Sequence, residues 1–85
     1  MRVRLYTTSA CHLCERAERL LRAEGAAWGV RPEMVDIVER DDLFEHYAWR
    51  IPVLQCVASG AELDWPFDRS DLRRWLHAMR QNSSA

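Results

Sequence analysis

Apolar and polar residues alternate from the second residue of the chain. Val3, Leu5 and Thr7 fall on one side, and Arg2, Arg4 and Tyr6 on the other. That period of two predicts a short strand over residues 2–7. Thr8-Ser9-Ala10 turns the chain, and the period then changes. Leu13, Ala17, Leu20 and Leu21 fall at i, i+4, i+7 and i+8, one stripe of a helix predicted over residues 11–24. Glu15 with Arg19 and Glu18 with Arg22 are i,i+4 pairs on its wet face, and Gly25 is its stop signal.

Past a loop holding Gly29 and Pro32, residues 33–38 read as a second strand. A brief helix over 41–48 follows, with Asp42 and Glu45 spaced as a capping box. The apolar run at 53–57 is a third strand, Ala58-Ser59-Gly60 a hairpin turn, and 61–63 a short fourth strand. Leu72, Trp75, Leu76 and Met79 then repeat at helical spacing. The last helix is expected over 69–80, capped by Asp68 or Ser70, and residues 81–85 as a frayed polar tail. The order is β-α-β-α-β-β-α. The first two strands should be parallel through a right-handed crossover, and the last two an antiparallel hairpin.

Composition narrows this to one α/β domain, residues 1–80. Eighty-five residues at 10.0 kDa hold a single core. Apolar residues make up 48% and charged residues 29%, an ordinary globular balance. With a net charge of −1, no basic field exists to hold nucleic acid. All 12 basic residues are Arg, which excludes lysine Schiff-base and P-loop chemistry. No apolar run is long enough to span a membrane, and the first residues do not read as a signal peptide. A cytoplasmic location is therefore expected, where thiols stay reduced. The three cysteines, Cys11, Cys14 and Cys56, are then not a structural disulfide framework.

The chemistry concentrates at Cys11-His12-Leu13-Cys14, between the first strand and the first helix. Residues i and i+3 share a helix face, close enough for a disulfide. Cys11 opens the helix, where unpaired N–H groups and the dipole favour a thiolate. Cys14 lies one turn inside, as a neutral thiol. Cys11 is thus the attacking residue and Cys14 the resolving one. A zinc site would need four ligands; only Cys56, His12, His46 and His77 remain to complete a set, so no metal is expected. His12, if protonated, would favour the thiolate. Cys56 falls in an apolar strand and reads as an inert buried thiol.

Together the CxxC after a first strand, Arg50-Ile51-Pro52-Val53 some forty residues later, and a last helix opened by Ser70-Asp71-Leu72 resemble a glutaredoxin of the thioredoxin superfamily. The nearer likeness is to short bacterial glutaredoxin-like proteins with a CxLC site and a Trp-Pro-Phe-Asp segment, here Trp65 to Asp68. The resemblance implies a minimal thioredoxin/glutaredoxin-like fold. Its four-stranded mixed sheet would have the order 2-1-3-4 and three helices, the first and third on one face. It implies a thiol–disulfide oxidoreductase with a Cys11–Cys14 couple and disulfide-containing protein substrates. Pro52 would be cis and beside the couple, and Ile51 would offer its backbone to an extended substrate. The backbone N–H groups of Ser70 and Asp71, with the Asp71 carboxylate, would suit the γ-glutamyl carboxylate and amine of glutathione. His12, Leu13 and Arg50 complete the substrate-binding candidates. No cofactor would be held tightly, electrons would come from glutathione, as reductant or co-substrate, or from a dithiol protein, and a monomer is expected.

Two departures bear on glutathione. Glutaredoxins carry Gly-Gly where this chain has Phe67-Asp68, which adds bulk and a negative charge. The basic residue that usually precedes the first cysteine is absent, and Arg50 is the candidate to replace part of its charge. Two rival functions belong to the same resemblance: a glutathione-dependent iron–sulfur cluster carrier, and a non-catalytic binding module. Of the four tryptophans, Trp75 belongs to the core stripe, while Trp49 and Trp65 flank the Ile-Pro segment and the last helix. Arg69, Arg73, Arg74 and Arg80 read as a solvated basic face of the last helix.

Overall fold

A computed structural model describes residues 1–83. The strands are β1 (Arg2–Thr7), β2 (Arg31–Asp36), β3 (Val53–Cys56) and β4 (Glu62–Asp64), and the helices α1 (His12–Gly25), α2 (Asp41–Tyr47) and α3 (Arg69–Ser83). One sheet forms with the order β2-β1-β3-β4. β1 and β2 run parallel, Leu5 opposite Met34. β3 pairs antiparallel with both β1 and β4, so that Leu5, Leu54 and Leu63 lie in one row across three strands. This is the minimal thioredoxin-like α/β architecture with three helices. Among the described residues no helix is long and apolar enough to cross a membrane.

The alternation in β1 works on both faces. Val3 and Leu5 join Ala17, Leu21, Leu54, Phe67, Leu72 and Leu76 in a core between the sheet, α1 and α3. Tyr6 points the other way and is also buried, with Ile37, Tyr47 and Val53, under α2. Arg2 and Arg4, on that same face, reach the β2 carboxylate of Glu33 at 2.7 and 3.6 Å. One face of β1 thus changes from wet to dry along its length, because α2 covers only the end that leads to Cys11.

Several local readings change in three dimensions. The α1 stripe that enters the core is Cys14, Ala17 and Leu21, and Leu13 is 42% exposed. The stripe is rotated because Cys14 must sit inside, beneath Cys11. Glu18 pairs with Arg22 at 2.9 Å, but Glu15 lies 3.6 Å from His12 rather than on Arg19. No capping box forms at Asp42; its carboxylate takes the Arg40 guanidinium, and Arg40, the α2 cap residue, makes no side-chain capping bond to the helix N–H groups. The box forms instead at α3, where the Asp68 and Asp71 side chains accept each other's backbone N–H at 2.8 and 3.0 Å. α3 continues through Ser83, past the expected stop at 80; Ser84 and Ala85 of the expected tail lie outside the described residues.

The α3 arginines are also not simply solvated. Glu24 on α1 is buried, and both Arg69 and Arg73 contact its carboxylate. The Arg73 guanidinium holds the Glu24 carboxyl below its ordinary range, against the opposing effect of burial. α1 and α3 are therefore clamped by charge as well as by Leu21, Leu72 and Leu76.

Gly25 and Gly29 serve different ends. Gly29 adopts φ 68°, the left-handed geometry that closes the turn into β2. Gly25 is right-handed at φ −67°, but a Cβ there would lie 2.9 Å from the Val30 Cβ. It is glycine because the chain turns back onto it, not because it ends the helix. Overpacking of this kind costs about 1–3 kcal/mol, of which Ala recovers up to about 1 kcal/mol in helix propensity. Gly25→Ala should lower stability by about 1 kcal/mol, whereas Gly29→Asn, which tolerates the left-handed region, should be close to neutral. Urea midpoints at unchanged m-value check this; equal losses at both positions would contradict it.

Candidate active site

The sheet brings three separate segments to one end. β1 runs toward Cys11. β3 is antiparallel to β1, so its first residue, Val53, pairs with Tyr6 at the same end and brings Pro52 there. β4 returns antiparallel again, Asp64 opposite Val53. The Trp65 N–H then donates to the Pro52 carbonyl at 3.2 Å, and the chain enters α3 from that point. Thus Cys11, Pro52 and the segment that leads into Ser70-Asp71 leave the sheet at one end of its strands, although 60 residues separate Cys11 from Asp71.

Ala10, in the left-handed region at φ 57°, turns the chain into α1. Cys11 is the α1 cap residue, and its sulfur accepts the Cys14 N–H at 3.2 Å. The Cys11 and Cys14 sulfurs lie at disulfide distance, with Cα atoms 5.2 Å apart. Cys11 is half-buried and Cys14 is buried. Cys56 is free and buried in β3. His12 is 94% exposed, beside Glu15. The Ile51–Pro52 and Trp65–Pro66 peptide bonds are both cis, and Pro52 is fully buried.

Ile51 is less available than the sequence suggests. Its N–H already donates to the Tyr47 carbonyl at 3.0 Å, continuing the turn that ends α2. Strand addition at Ile51 would have to displace that bond. Thr8 and Ile51 line a groove of about 230 Å³ with Ile37, Phe44, Ala48 and Trp49. Trp49 is 98% exposed. Sequence reasoning placed Trp49 near the Ile-Pro segment but missed Phe44, because both the helical stripe and the groove draw on apolar residues of α2.

Arg50 turns away toward β4. Its guanidinium contacts Glu62 at 2.6 Å and Asp64 at 2.8 Å, and lies over the Tyr47 ring, 5.2 Å from its centroid. Tyr47 stacks on Tyr6 at 4.0 Å and donates its hydroxyl to Glu62. The charge of Arg50 is balanced within the fold by two carboxylates. Burial pushes the Tyr47 hydroxyl up, and the hydrogen bond to Glu62 adds to it. Burial also acts to raise Glu62, but the Tyr47 hydroxyl and the Arg50 guanidinium outweigh it and hold that carboxyl low. Arg50 holds Asp64 low as well.

A dithiol pair at the start of a helix, on a thioredoxin-like sheet, is matched by a family. The family described as glutaredoxin-like domain (DUF836) matches residues 2–77. The chain belongs to the glutaredoxin-like family. Among curated proteins nothing matches it. An X-ray structure of the structural-genomics target XcR50 from X. campestris is 39% identical, covers 89% of this chain and 96% of its own, and superposes with a TM-score of 0.80. The solution structure of the same target is 40% identical, with 92% and 95% coverage and a TM-score of 0.78. Thioredoxin 1 from Thermosipho africanus shares the fold at a TM-score of 0.73 and 11% identity over the whole of both chains. A glutaredoxin-like fold with Cys11 and Cys14 at disulfide distance fits a redox role.

In this glutaredoxin-like protein the Ser70 and Asp71 candidates lie in the first turn of α3. Asp71 is engaged on both sides: one oxygen accepts the Asp68 N–H at 3.0 Å and the other the Arg74 guanidinium at 2.6 Å. The Ser70 hydroxyl accepts from Arg74 at 3.4 Å. A cavity of about 420 Å³ adjoins this turn, lined by Arg16, Trp65, Phe67, Asp68, Arg69 and Asp71 among others.

The Arg50 cluster carries a pH signature. Carboxylates with lowered folded values stabilise above the ordinary carboxylate range, and that contribution is lost as pH falls through the lowered value. Arg50→Ala leaves a partly buried Glu62 without its cation and should cost about 1–3 kcal/mol at neutral pH. The gap to the parent protein should close as pH drops below about 4. Urea titrations across that range measure it; a gap independent of pH would refute the assignment.

Proposed function

We propose that this protein is a thiol–disulfide oxidoreductase that cycles Cys11 and Cys14 between dithiol and disulfide, with disulfide-bearing proteins as its substrates. The observation that carries the reading is the Cys14 N–H donating to the Cys11 sulfur at the start of α1, with Cys14 itself buried below. That N–H and the helix dipole favour negative charge on Cys11 once the pair is reduced. Only Cys11 is then both reachable and nucleophilic.

The Cys11 thiolate attacks one sulfur of a substrate disulfide. A Cys11–substrate disulfide forms, and the substrate's other sulfur leaves as a thiolate and takes up a proton. Cys14 gives up its proton and attacks the Cys11 sulfur. The second substrate sulfur leaves as a thiol, and the Cys11–Cys14 disulfide remains. Two electrons have passed from the pair to the substrate. They return from a dithiol protein or from two glutathione thiols. No tightly held cofactor takes part, and the reading suits a monomer in the reducing cytoplasm with no nucleic-acid or membrane partner. His12 and Leu13, exposed between the cysteines, would meet the substrate chain, as would Ile51 from its place in the groove, with the buried Pro52 positioning Ile51 from below.

Two outcomes test this reading. Alkylation of the reduced protein at mildly acidic pH should label Cys11 well before Cys14 or Cys56, and equal labelling of all three would contradict the thiolate assignment. Cys14→Ser should accumulate a mixed disulfide at Cys11 when exposed to oxidised substrates, seen as a mass increase, because Cys56 is buried and cannot resolve it. An absence of any adduct would remove the exchange mechanism.

A further inference from the structure

The start of α3 speaks to which thiol partner the site accepts, an inference that rests on the exchange reading above. In the glutaredoxin pattern, the N–H groups of the residues placed as Ser70 and Asp71 receive the γ-glutamyl carboxylate of glutathione. Here a carboxylate of the chain itself is already on one of them. The Asp71 N–H donates to Asp68 Oδ1 at 2.8 Å. The Asp71 N–H, and with it the Ser70 N–H, hold the Asp68 carboxyl below its ordinary range. The Asp71 carboxylate, which would meet the γ-glutamyl amine, is taken up by the Asp68 N–H and Arg74. Phe67, in place of a glycine, is buried in the core and packs edge-on against Trp65 at 4.9 Å, which anchors the segment that presents Asp68.

We propose that Asp68 is a built-in substitute for the γ-glutamyl carboxylate, and that by filling the α3 N-terminus it makes this site select dithiol protein partners over glutathione. An internal carboxylate held one turn away acts at a far higher effective concentration than a free ligand. A glutathionyl group must first displace it from the Asp71 N–H. A protein partner, recognised elsewhere on its surface, has no need of those two N–H groups.

The test compares two small disulfides on the Cys14→Ser protein, with mixed-disulfide formation at Cys11 followed by mass spectrometry. Oxidised glutathione carries the γ-glutamyl group; hydroxyethyl disulfide lacks it and reports the chemistry of Cys11 alone. In the Cys14→Ser parent the two should react at rates within a few-fold of each other. Adding Asp68→Gly should raise the glutathione rate relative to hydroxyethyl disulfide on the order of tenfold, the value of one charge-assisted hydrogen bond set regained. Glycine at a helix cap is nearly as good as Asp, so α3 is retained. Asp68→Asn, whose amide oxygen still accepts the Asp71 N–H, should stay near the parent ratio. An unchanged ratio in Asp68→Gly, or an equal rise in Asp68→Asn, would overturn the proposal. A failure of hydroxyethyl disulfide to modify Cys11 would overturn the exchange reading itself. Titration of the unmutated oxidised protein with S-methylglutathione is a second measure independent of the variants. The Ser70 and Asp71 amide resonances should not shift, and a saturable shift would overturn the proposal.

Discussion

The row in which Tyr6, Val53 and Asp64 pair across β1, β3 and β4 is the constraint on which the site depends. It sets the register of two antiparallel ladders at once. A slip of one residue in β3 would turn Val53 and Leu54 to opposite faces and empty both cores. The same row fixes where the chain leaves each strand. Cys11, Pro52 and the entrance to α3 therefore share an edge because the packing of Leu5, Leu54 and Leu63 admits one register.

Charge reinforces this arrangement through arginine alone. Arg50 ties the end of α2 to β4 through Glu62 and Asp64. Arg69 and Arg73 tie α3 to α1 through the buried Glu24. Three other contacts use the flat guanidinium over a ring, at Trp65, Tyr47 and Trp28. Lysine would serve poorly at these points. Its ammonium cannot form the planar two-pronged contact that Arg50 makes with Asp64 or Arg73 with Glu24. The absence of lysine noted in the composition thus has a structural counterpart, since several of the arginines hold elements together.

The two ends of α1 and α3 nearest the sheet edge are both capped by side chains, with contrary consequences. At α1 the cap is the Cys11 sulfur, so the field of the helix acts on the sulfur proposed to attack. At α3 the cap is the Asp68 carboxylate, so the field there is spent on the chain itself. One terminus is left to chemistry and the other is closed.

Element types and order were legible in the sequence because they depend on local period. Alternation in β1, the stripes of α1 and α3, and the apolar run of β3 are each set by a few neighbouring residues. The CxxC at a strand–helix junction was legible for the same reason, since i,i+3 spacing and a helix start are local properties. Tertiary structure alone decided the rest. Which side of α1 faces inward turned on Cys14 replacing Leu13. The burial of Tyr6 turned on α2 lying over one end of β1. The true reason for Gly25 is Val30, which returns to it from beyond the helix. The partners of Arg50, Arg69 and Arg73 come from other elements, so Arg50 read as a substrate-site charge and Arg69 and Arg73 as solvated until the fold brought Glu62, Asp64 and Glu24 to them. Asp68 and Asp71 were visible as acids near a helix start. That they close on each other depended on the path the chain takes from Pro52 through Phe67, which is set by the core and not by their spacing.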